Sequence, residues 1–240
     1  MDGIINKPRW GIWEIIVAYV AIFLAGILFS LQGEAWFDFL ITHTSIAGSQ
    51  QNFFVFSFGV QFLAIVFSVL ILTVWLHHVN WRDLGIRHGS WRDYCRYGFL
   101  GGIFLLVFIT LMGYIVSQFQ PDLSPQPYEA ILRSVTGPGQ FMIIFLIGAV
   151  FAPLAEELFY RGMMYPVFRS LLGPFWGAVT AGAIFGIAHW DLWRTIPLAI
   201  GGALLCYIYE KSGSIFVSAL AHGIWNGIMS LIIYLSLFTA

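Results

Sequence analysis

The sequence predicts an all-α integral membrane protein, built as a polytopic bundle of about seven transmembrane helices. Of its 240 residues, 59% are hydrophobic and only 10% are charged, whereas a soluble domain carries roughly 25% charged residues. Apolar runs of about 20 residues, the length that crosses a bilayer, recur along the chain. Because no linker or low-complexity tract separates these runs, residues 1–240 are expected to form a single membrane domain.

Apolar segments separated by polar or turn-rich loops are the candidate membrane spans. The predicted spans cover residues 10–31, 53–75, 97–119, 141–155, 175–190, 196–209 and 215–238. The polar segment 32–51 lies between the first two spans, and its residues 35–41 are expected to lie in the membrane interface.

The fourth span is expected to continue as helix to about Leu171 and to break at Gly173-Pro174, since proline cannot extend the helix that precedes it. Pro153 removes one backbone donor within this helix and predicts a kink just before two glutamates. The fifth and sixth spans are short for helices that face lipid. They are therefore expected to be buried among other helices or to line a cavity.

The distribution of basic residues predicts the orientation of the chain. With the N-terminus inside, the inner segments carry nine Lys and Arg residues, and the outer segments carry only Arg133 and Arg194. Because cytoplasmic loops are enriched in Lys and Arg, the N-terminus is expected to be cytoplasmic. The formal net charge of −1 gives no reason to expect a nucleic-acid partner, so the expected surroundings are the lipid bilayer.

Two adjacent carboxylates and an arginine lie at the end of the fourth apolar run. A charged side chain at the centre of a membrane helix costs roughly 2.5–3.5 kcal/mol on insertion scales, so such residues usually face a protein interior or a cavity. Glu157 and Arg161 are four residues apart and can pair along one face of a helix. Glu156 is rotated by about 100° from Glu157 and is poorly placed for that pair. The spacing predicts that Glu156 is the carboxylate available for chemistry.

Three further polar residues lie within the last spans: His189, His222 and Asn226. Glu156 lies about 16 residues before the turn near residues 172–173 and His189 about 16 residues after it, so both stand roughly 24 Å from the turn. His222 and Asn226 are one helical turn apart and lie roughly 15–21 Å beyond the next turn, at residues 212–213. The matched depths predict that the four side chains converge.

Each of these features alone has a structural explanation. A lone membrane histidine more often hydrogen-bonds a neighbouring helix than catalyses a reaction, and Glu157 with Arg161 fits a structural pair. Gly182 and Gly186 are small residues that permit close packing of a neighbouring helix and say nothing about function. The combination of polar residues at matched depths is what indicates a site.

Three short motifs occur in order on separate predicted helices: Glu156-Glu157-x-x-x-Arg161, Phe185-x-x-x-His189 and His222-x-x-x-Asn226. In these motifs the sequence resembles the type II CAAX prenyl endopeptidases and their bacterial relatives, the CPBP or Abi intramembrane proteases. The resemblance covers residues 151–226, and the motif positions show no departure from the family pattern.

The resemblance implies a glutamate-dependent intramembrane endopeptidase of a bacterial cell membrane, acting on a membrane-associated peptide or protein. Glu156 would be the general base that activates water, and His189 would hold that water. His222 and Asn226 would donate hydrogen bonds to the oxyanion of the tetrahedral intermediate, an interaction worth roughly 3–4 kcal/mol per donor. The residues that would orient the site are Glu157 and Arg161.

Two alternatives remain open at this point. The polar core is also compatible with a non-catalytic scaffold, an immunity factor or a small transporter, none of which would release a peptide fragment. Glu156, His189 and His222 also have the residue types of a His₂Glu zinc site. No metal or other cofactor is expected, however, because the sequence has no HExxH pairing, Asn226 is a poor zinc ligand, and the charge of Arg161 disfavours a cation.

Overall fold

Seven helices and a short 3₁₀ turn at Trp81–Leu84 make up the regular structure of residues 5–238, which the computed structural model describes. In chain order the helices are α1 (Ile12–His43), α2 (Gln50–Trp75), α3 (Trp91–Phe119), α4 (Pro127–Arg133), α5 (Pro138–Ile187), α6 (Leu192–Ser212) and α7 (Ile215–Ser236). All except α4 are long and apolar enough to cross a membrane. The predicted all-α membrane bundle is confirmed.

Helix α5 contains both the fourth and the fifth predicted span. The chain reverses between the two spans, at Gly173. This residue has φ 78° and ψ 170°, a conformation that glycine adopts without steric cost. The chain returns closely beside itself, since a Cβ on Gly177 would lie only 2.7 Å from the backbone nitrogen of Arg169. The expected break at Gly173-Pro174 is confirmed, and it divides α5 into a long arm (residues 138–172) and a short arm (residues 174–187).

The predicted end of the first span is wrong. Helix α1 continues beyond Leu31 to His43, so residues 35–41 belong to this helix. The reason is packing against α2. Phe37 is buried, and its ring centre lies 5.3 Å from that of Phe53.

The predicted length of the sixth span is also wrong, because α6 has 21 residues. Asp191 precedes its first turn, and the carboxylate accepts hydrogen bonds from the backbone N–H groups of Trp193 and Arg194. Such an N-cap satisfies donors that would otherwise lack partners. The cap therefore starts the helix several residues earlier than hydropathy alone predicts.

The short arm of α5 packs closely against α6 at Gly182 and Gly186. A Cβ at either glycine would lie 2.4 Å from a backbone carbonyl oxygen of α6, that of Ala199 or that of Thr195. Small residues permit this approach between membrane helices. The contact fixes the depth at which His189, at the end of the short arm, meets the rest of the bundle.

The helix around the two glutamates is not a regular α-helix. π-helical segments at Ile147–Phe151 and Leu158–Met164 flank an α-helical stretch at Ala152–Glu157. Pro153 lies at the start of that stretch, so its missing N–H coincides with the change from π-helical to α-helical bonding. π-helical segments often occur at functional sites.

Helix α7 approaches the long arm of α5 at Gly223. A Cβ on this glycine would lie 2.2 Å from the carbonyl oxygen of Ala149, within the first π-helical segment. Only a residue without a side chain allows this approach. It brings the face of α7 that carries His222 and Asn226 against the helix of the glutamates.

Candidate active site

Glu157 and Arg161 form a buried ion pair inside the bundle. Both side chains are 0% exposed, and Arg161 Nη1 lies 2.7 Å from Glu157 Oε1. Arg161 Nη2 also donates to the carbonyl oxygen of Gly202 on α6, at 2.9 Å. The guanidinium carbon lies 5.0 Å from the centre of the Phe185 ring, within the range of a cation–π contact. The four-residue spacing predicts this pair, and α6 and the short arm of α5 complete its surroundings.

His222 lies between the two glutamates. Its Nδ1 is 3.0 Å from Glu157 Oε1, and its Nε2 is 3.8 Å from Glu156 Oε2. An ionised carboxylate only accepts hydrogen bonds, so Nδ1 carries the proton that is donated to Glu157. The Trp225 ring stacks on the imidazole, with 5.4 Å between ring centres. These contacts fix the orientation of the ring and direct Nε2 toward Glu156.

The two glutamates differ in their access to open space. The Glu156 side chain is 28% exposed, whereas that of Glu157 is fully buried. Glu156 faces a chamber of roughly 710 Å³ that His189, His222 and Asn226 also line. The structure therefore brings these four residues together around one cavity, and Glu157 lies behind them.

His189 and Asn226 each use one donor on a backbone carbonyl. His189 Nδ1 donates to the carbonyl oxygen of Phe185 at 2.8 Å, so Nε2 is the acceptor nitrogen of the neutral ring. Asn226 Nδ2 donates to the carbonyl oxygen of Gly148 at 3.1 Å. An amide has a second N–H and an acceptor oxygen as well. Both side chains therefore keep a polar group for a molecule in the chamber.

A second cavity, of roughly 960 Å³, meets the chamber at Glu156 and His189. This lateral groove lies between α1, α2 and the short arm of α5, and apolar side chains line most of it. Trp190 stands at its rim with 87% of its surface exposed. The groove connects Glu156 with the apolar outer surface of the bundle.

The chamber also reaches the start of α6, beside Glu129 and Arg194. Arg194 pairs with Asp191 and donates from Nη2 to the carbonyl oxygen of Ser124 at 3.0 Å. Partial burial raises the pKa of the Asp191 carboxyl, but the hydrogen bonds from Arg194 and Trp193 outweigh burial and hold this pKa below its usual value. The pair is therefore ionised at neutral pH, and this end of the chamber is polar.

Sequence reasoning missed the aromatic residues that hold the site together. The Phe185 ring centre lies 5.0 Å from that of Tyr160, 4.8 Å from that of His189 and 5.8 Å from that of His222. The Tyr160 hydroxyl is 3.2 Å from the hydroxyl of Tyr19, so α1 contributes to the site. Phe185 belongs to the second motif, but no sequence signal points to Tyr19, which is 141 positions away from its partner.

The possible metal ligands do not form a metal-binding group. Among residues 5–238, no cluster of three or more His, Cys, Asp or Glu side chains is arranged to hold a metal ion. His222 already donates to Glu157 through Nδ1, and the positive charge of Arg161 lies behind it.

Comparison with known proteins gives a family match and two distant relatives. Residues 138–228 match the family described as type II CAAX prenyl endopeptidase Rce1-like. The UPF0177 protein YaiF of Lactococcus lactis subsp. lactis (strain IL1403) is 22% identical over 183 residues, which cover 69% of this chain and 77% of that protein. The "Putative membrane peptidase YdiL" of Bacillus subtilis (strain 168) is 23% identical over 84 residues, 35% of this chain and 34% of that protein. No solved structure matches the chain.

The matched residues 138–228 include α5, α6 and the first part of α7. These helices carry the three motifs and part of the wall of the chamber. The resemblance indicated by the motifs is therefore confirmed: residues 138–228 of this integral membrane protein are similar to the Rce1-like type II CAAX prenyl endopeptidases.

Proposed function

We propose that this protein is a glutamate-dependent intramembrane endopeptidase that hydrolyses a peptide bond of a membrane-associated peptide or protein. The observation that carries the proposal is the contrast between the two glutamates. Glu157 is buried in an ion pair, whereas Glu156 faces the chamber with His222 Nε2 3.8 Å away. A carboxylate beside an imidazole in a water-accessible chamber has the components of general-base hydrolysis.

In the proposed reaction, Glu156 takes a proton from a water molecule, and the other hydrogen of that water is donated to His189 Nε2. The water oxygen attacks the carbonyl carbon of the scissile bond. As an imidazolium, His222 keeps its Nδ1 bond to Glu157 and donates from Nε2 to the oxyanion. The second N–H of Asn226 donates to the same oxygen. Removing one such donor typically costs about 10²–10³ in kcat.

Collapse of the tetrahedral intermediate breaks the C–N bond. The protonated Glu156 gives its proton to the leaving amine and returns to the ionised form. The products are a peptide with a new carboxylic acid group and a peptide with a new amine. In this reaction Glu157 and Arg161 are positioning residues, because they hold the His222 ring and do not line the chamber.

A large side chain in the chamber is expected to block cleavage. Gly113 lines the chamber, and nothing lies within 4 Å of a Cβ at this position. Gly113→Phe should therefore fill space needed by the substrate and reduce kcat/KM by roughly 10–100-fold, since small misplacements have effects of this size. The thermal unfolding midpoint should stay unchanged.

The matched control is Gly59→Phe. A Cβ on Gly59 also meets nothing within 4 Å, but this residue lines neither the chamber nor the lateral groove. Cleavage by this variant should equal that of the wild type. Wild-type cleavage by Gly113→Phe, or an equal loss in both variants, would contradict the placement of the substrate in the chamber.

The proposed reaction uses no metal, since His222 already donates through Nδ1 to Glu157 and the positive charge of Arg161 disfavours a cation. Exhaustive chelation of the purified protein is expected to leave its rate on a cleavable peptide unchanged. Loss of activity with the chelator and its recovery with stoichiometric zinc would contradict the metal-free reaction.

The physiological substrate can be identified by comparing membrane peptides from cells that contain the wild-type protein and cells that contain Glu156→Gln. A protease leaves fragments that appear only with the wild type. A scaffold, an immunity factor or a small transporter leaves none, and a transporter would respond to an ion gradient. Absence of any fragment, together with such a response, would overturn the proposal.

We also propose that the chain lies in a bacterial cell membrane with its N-terminus in the cytoplasm. The excess of basic residues on one side supports this orientation. Cys95 is exposed and lies near the start of α3, on the side that would face the cytoplasm. Labelling of Cys95 by a membrane-impermeant thiol reagent in intact cells would contradict this orientation and place the N-terminus outside the cytoplasm.

A further inference from the structure

A polar cavity lies at the end of the bundle opposite the mouth of the chamber. It has a volume of roughly 700 Å³. The chamber reaches the start of α6, whereas this basal cavity lies at the other end of the same helix, beside Tyr209 and Gly213. A helix of this length separates its ends by roughly 30 Å. The basal cavity is therefore separate from the candidate active site.

Tyr209 presents an unpaired donor to the basal cavity. Its side chain is 1% exposed, and its ring packs against Tyr165 with 6.2 Å between ring centres. Its hydroxyl has no hydrogen-bond partner among residues 5–238, and it lies beside Gly85, which precedes the cavity residue Ile86. Gly85 has φ 71°, and a Cβ there would come within 2.5 Å of this hydroxyl. The turn thus requires glycine and leaves the hydroxyl open to the cavity.

Arg82 and Arg87 add two positive charges to the basal cavity. Arg87 is held in place, because its Nε donates to the carbonyl oxygen of Gly213 at 2.7 Å. The carboxylate of Asp83 also lines the cavity, but one of its oxygens accepts the backbone N–H of Asn80 at 3.0 Å. A smaller adjoining cavity of roughly 300 Å³ adds Lys7 and Arg9. Among residues 5–238, four cationic side chains and the Asp83 carboxylate line these two adjoining cavities.

The donors around the basal cavity match the chemistry of phosphate. A guanidinium presents several N–H groups in a planar fork, the geometry that suits phosphate oxygens. The Tyr209 hydroxyl is a further donor, and the amides of Asn6 and Asn80 also line the cavity. The volume lies within the range of small-molecule sites.

The basal cavity lies at the level where a membrane meets water. Trp81 in its wall is 52% exposed. Trp13, which follows Arg9 in the sequence, is 76% exposed, and Trp91, which follows Arg87, is 81% exposed. Tryptophan is enriched at this interface, and clustered basic residues there attract anionic lipids.

The basal cavity also contacts the helix that carries the buried ion pair. Leu84, at the end of the turn that forms its wall, is 0% exposed. Its carbonyl oxygen would lie 2.8 Å from a Cβ on Gly162, the residue after Arg161. A ligand that orders the Trp81–Leu84 turn would therefore also stabilise the π-helical segment that contains Arg161.

We propose that the basal cavity binds a phosphate group, carried by the headgroup of an anionic phospholipid or by a free phosphate compound. Ligand binding to the folded state raises the unfolding midpoint. The midpoint of the detergent-purified protein is expected to rise by several degrees with dihexanoyl-phosphatidylglycerol. Dihexanoyl-phosphatidylcholine at the same concentration should have less effect, because its headgroup has no net charge.

Inorganic phosphate distinguishes the two sources. A rise with the phospholipid alone identifies a lipid site, and a rise with inorganic phosphate identifies a site for free phosphate compounds. If the phospholipid and inorganic phosphate both give the same midpoint as the phosphatidylcholine control, the proposal is overturned. None of these outcomes depends on proteolysis.

Two substitutions locate the binding. Arg82→Gln with Tyr209→Phe removes a charge and a hydroxyl, and should weaken binding by roughly tenfold or more. Arg92→Gln is the matched control, because it removes the same charge from an exposed residue at the same end of the bundle, outside the cavity. If the double variant loses stability without ligand, Arg82→Gln alone gives the same comparison. Equal affinity in the cavity variants and the wild type would show that the ligand binds elsewhere.

Discussion

Glu156→Gln is expected to reduce cleavage by roughly 10²–10⁴-fold, the usual contribution of a general base, while the protein stays folded. Glutamine keeps the size of the side chain but cannot take the proton of the attacking water. Because Glu156 faces the chamber and lies outside the buried ion pair, losing its charge leaves no buried charge unpaired. The measurement is kcat/KM on a cleavable peptide, with the unfolding midpoint determined in the same detergent.

Glu34→Gln is the matched control for this variant. Glu34 is an exposed carboxylate on α1 that lines neither the chamber nor the lateral groove, so its loss should change neither cleavage nor midpoint. Glu157→Gln gives the contrast, because it leaves Arg161 without its ion partner and should lower stability as well as activity. Wild-type turnover by Glu156→Gln would refute its role as the base.

Arg161→Ala is expected to destabilise the protein by roughly 3–5 kcal/mol, the typical cost of removing one partner of a buried ion pair. The Glu157 carboxylate would lose its 2.7 Å contact, and the carbonyl oxygen of Gly202 would lose a donor. Because Glu157 also holds His222, cleavage should fall together with the unfolding midpoint.

Arg133→Ala is the surface counterpart of this change. Arg133 also pairs with a glutamate four residues away, Glu129, but its side chain is 48% exposed. An exposed pair of this kind contributes only roughly 0.3–0.5 kcal/mol, so the midpoint should hardly move. If Arg161→Ala retained the wild-type midpoint and lost only activity, Arg161 would have a direct part in the reaction.

The motif residues are predictable from sequence because helical geometry is local. A four-residue spacing puts Glu157 and Arg161 on one face and rotates Glu156 away, and the structure has this arrangement. The equal distances of Glu156 and His189 from the turn follow from a constant rise per residue. The turn itself is marked by Gly173, whose backbone angles favour glycine.

Contacts between distant helices cannot be predicted in this way. Phe37 extends α1 because it finds a partner on α2, and neither sequence segment indicates the other. Tyr19 reaches Tyr160 across 141 positions. The basal cavity likewise forms only where the Trp81–Leu84 turn meets the end of α6.

The sequence by itself determined the membrane character, the helical class, the family resemblance and the pairing of Glu157 with Arg161, because hydropathy and residue spacing act within single helices. Only the tertiary structure decided that His222 lies between the glutamates and that Glu156 keeps access to the chamber. These features depend on how closely α7 and α6 approach α5. That distance is determined by contacts such as the one between Gly223 and Ala149, in which packing joins residues from separate helices.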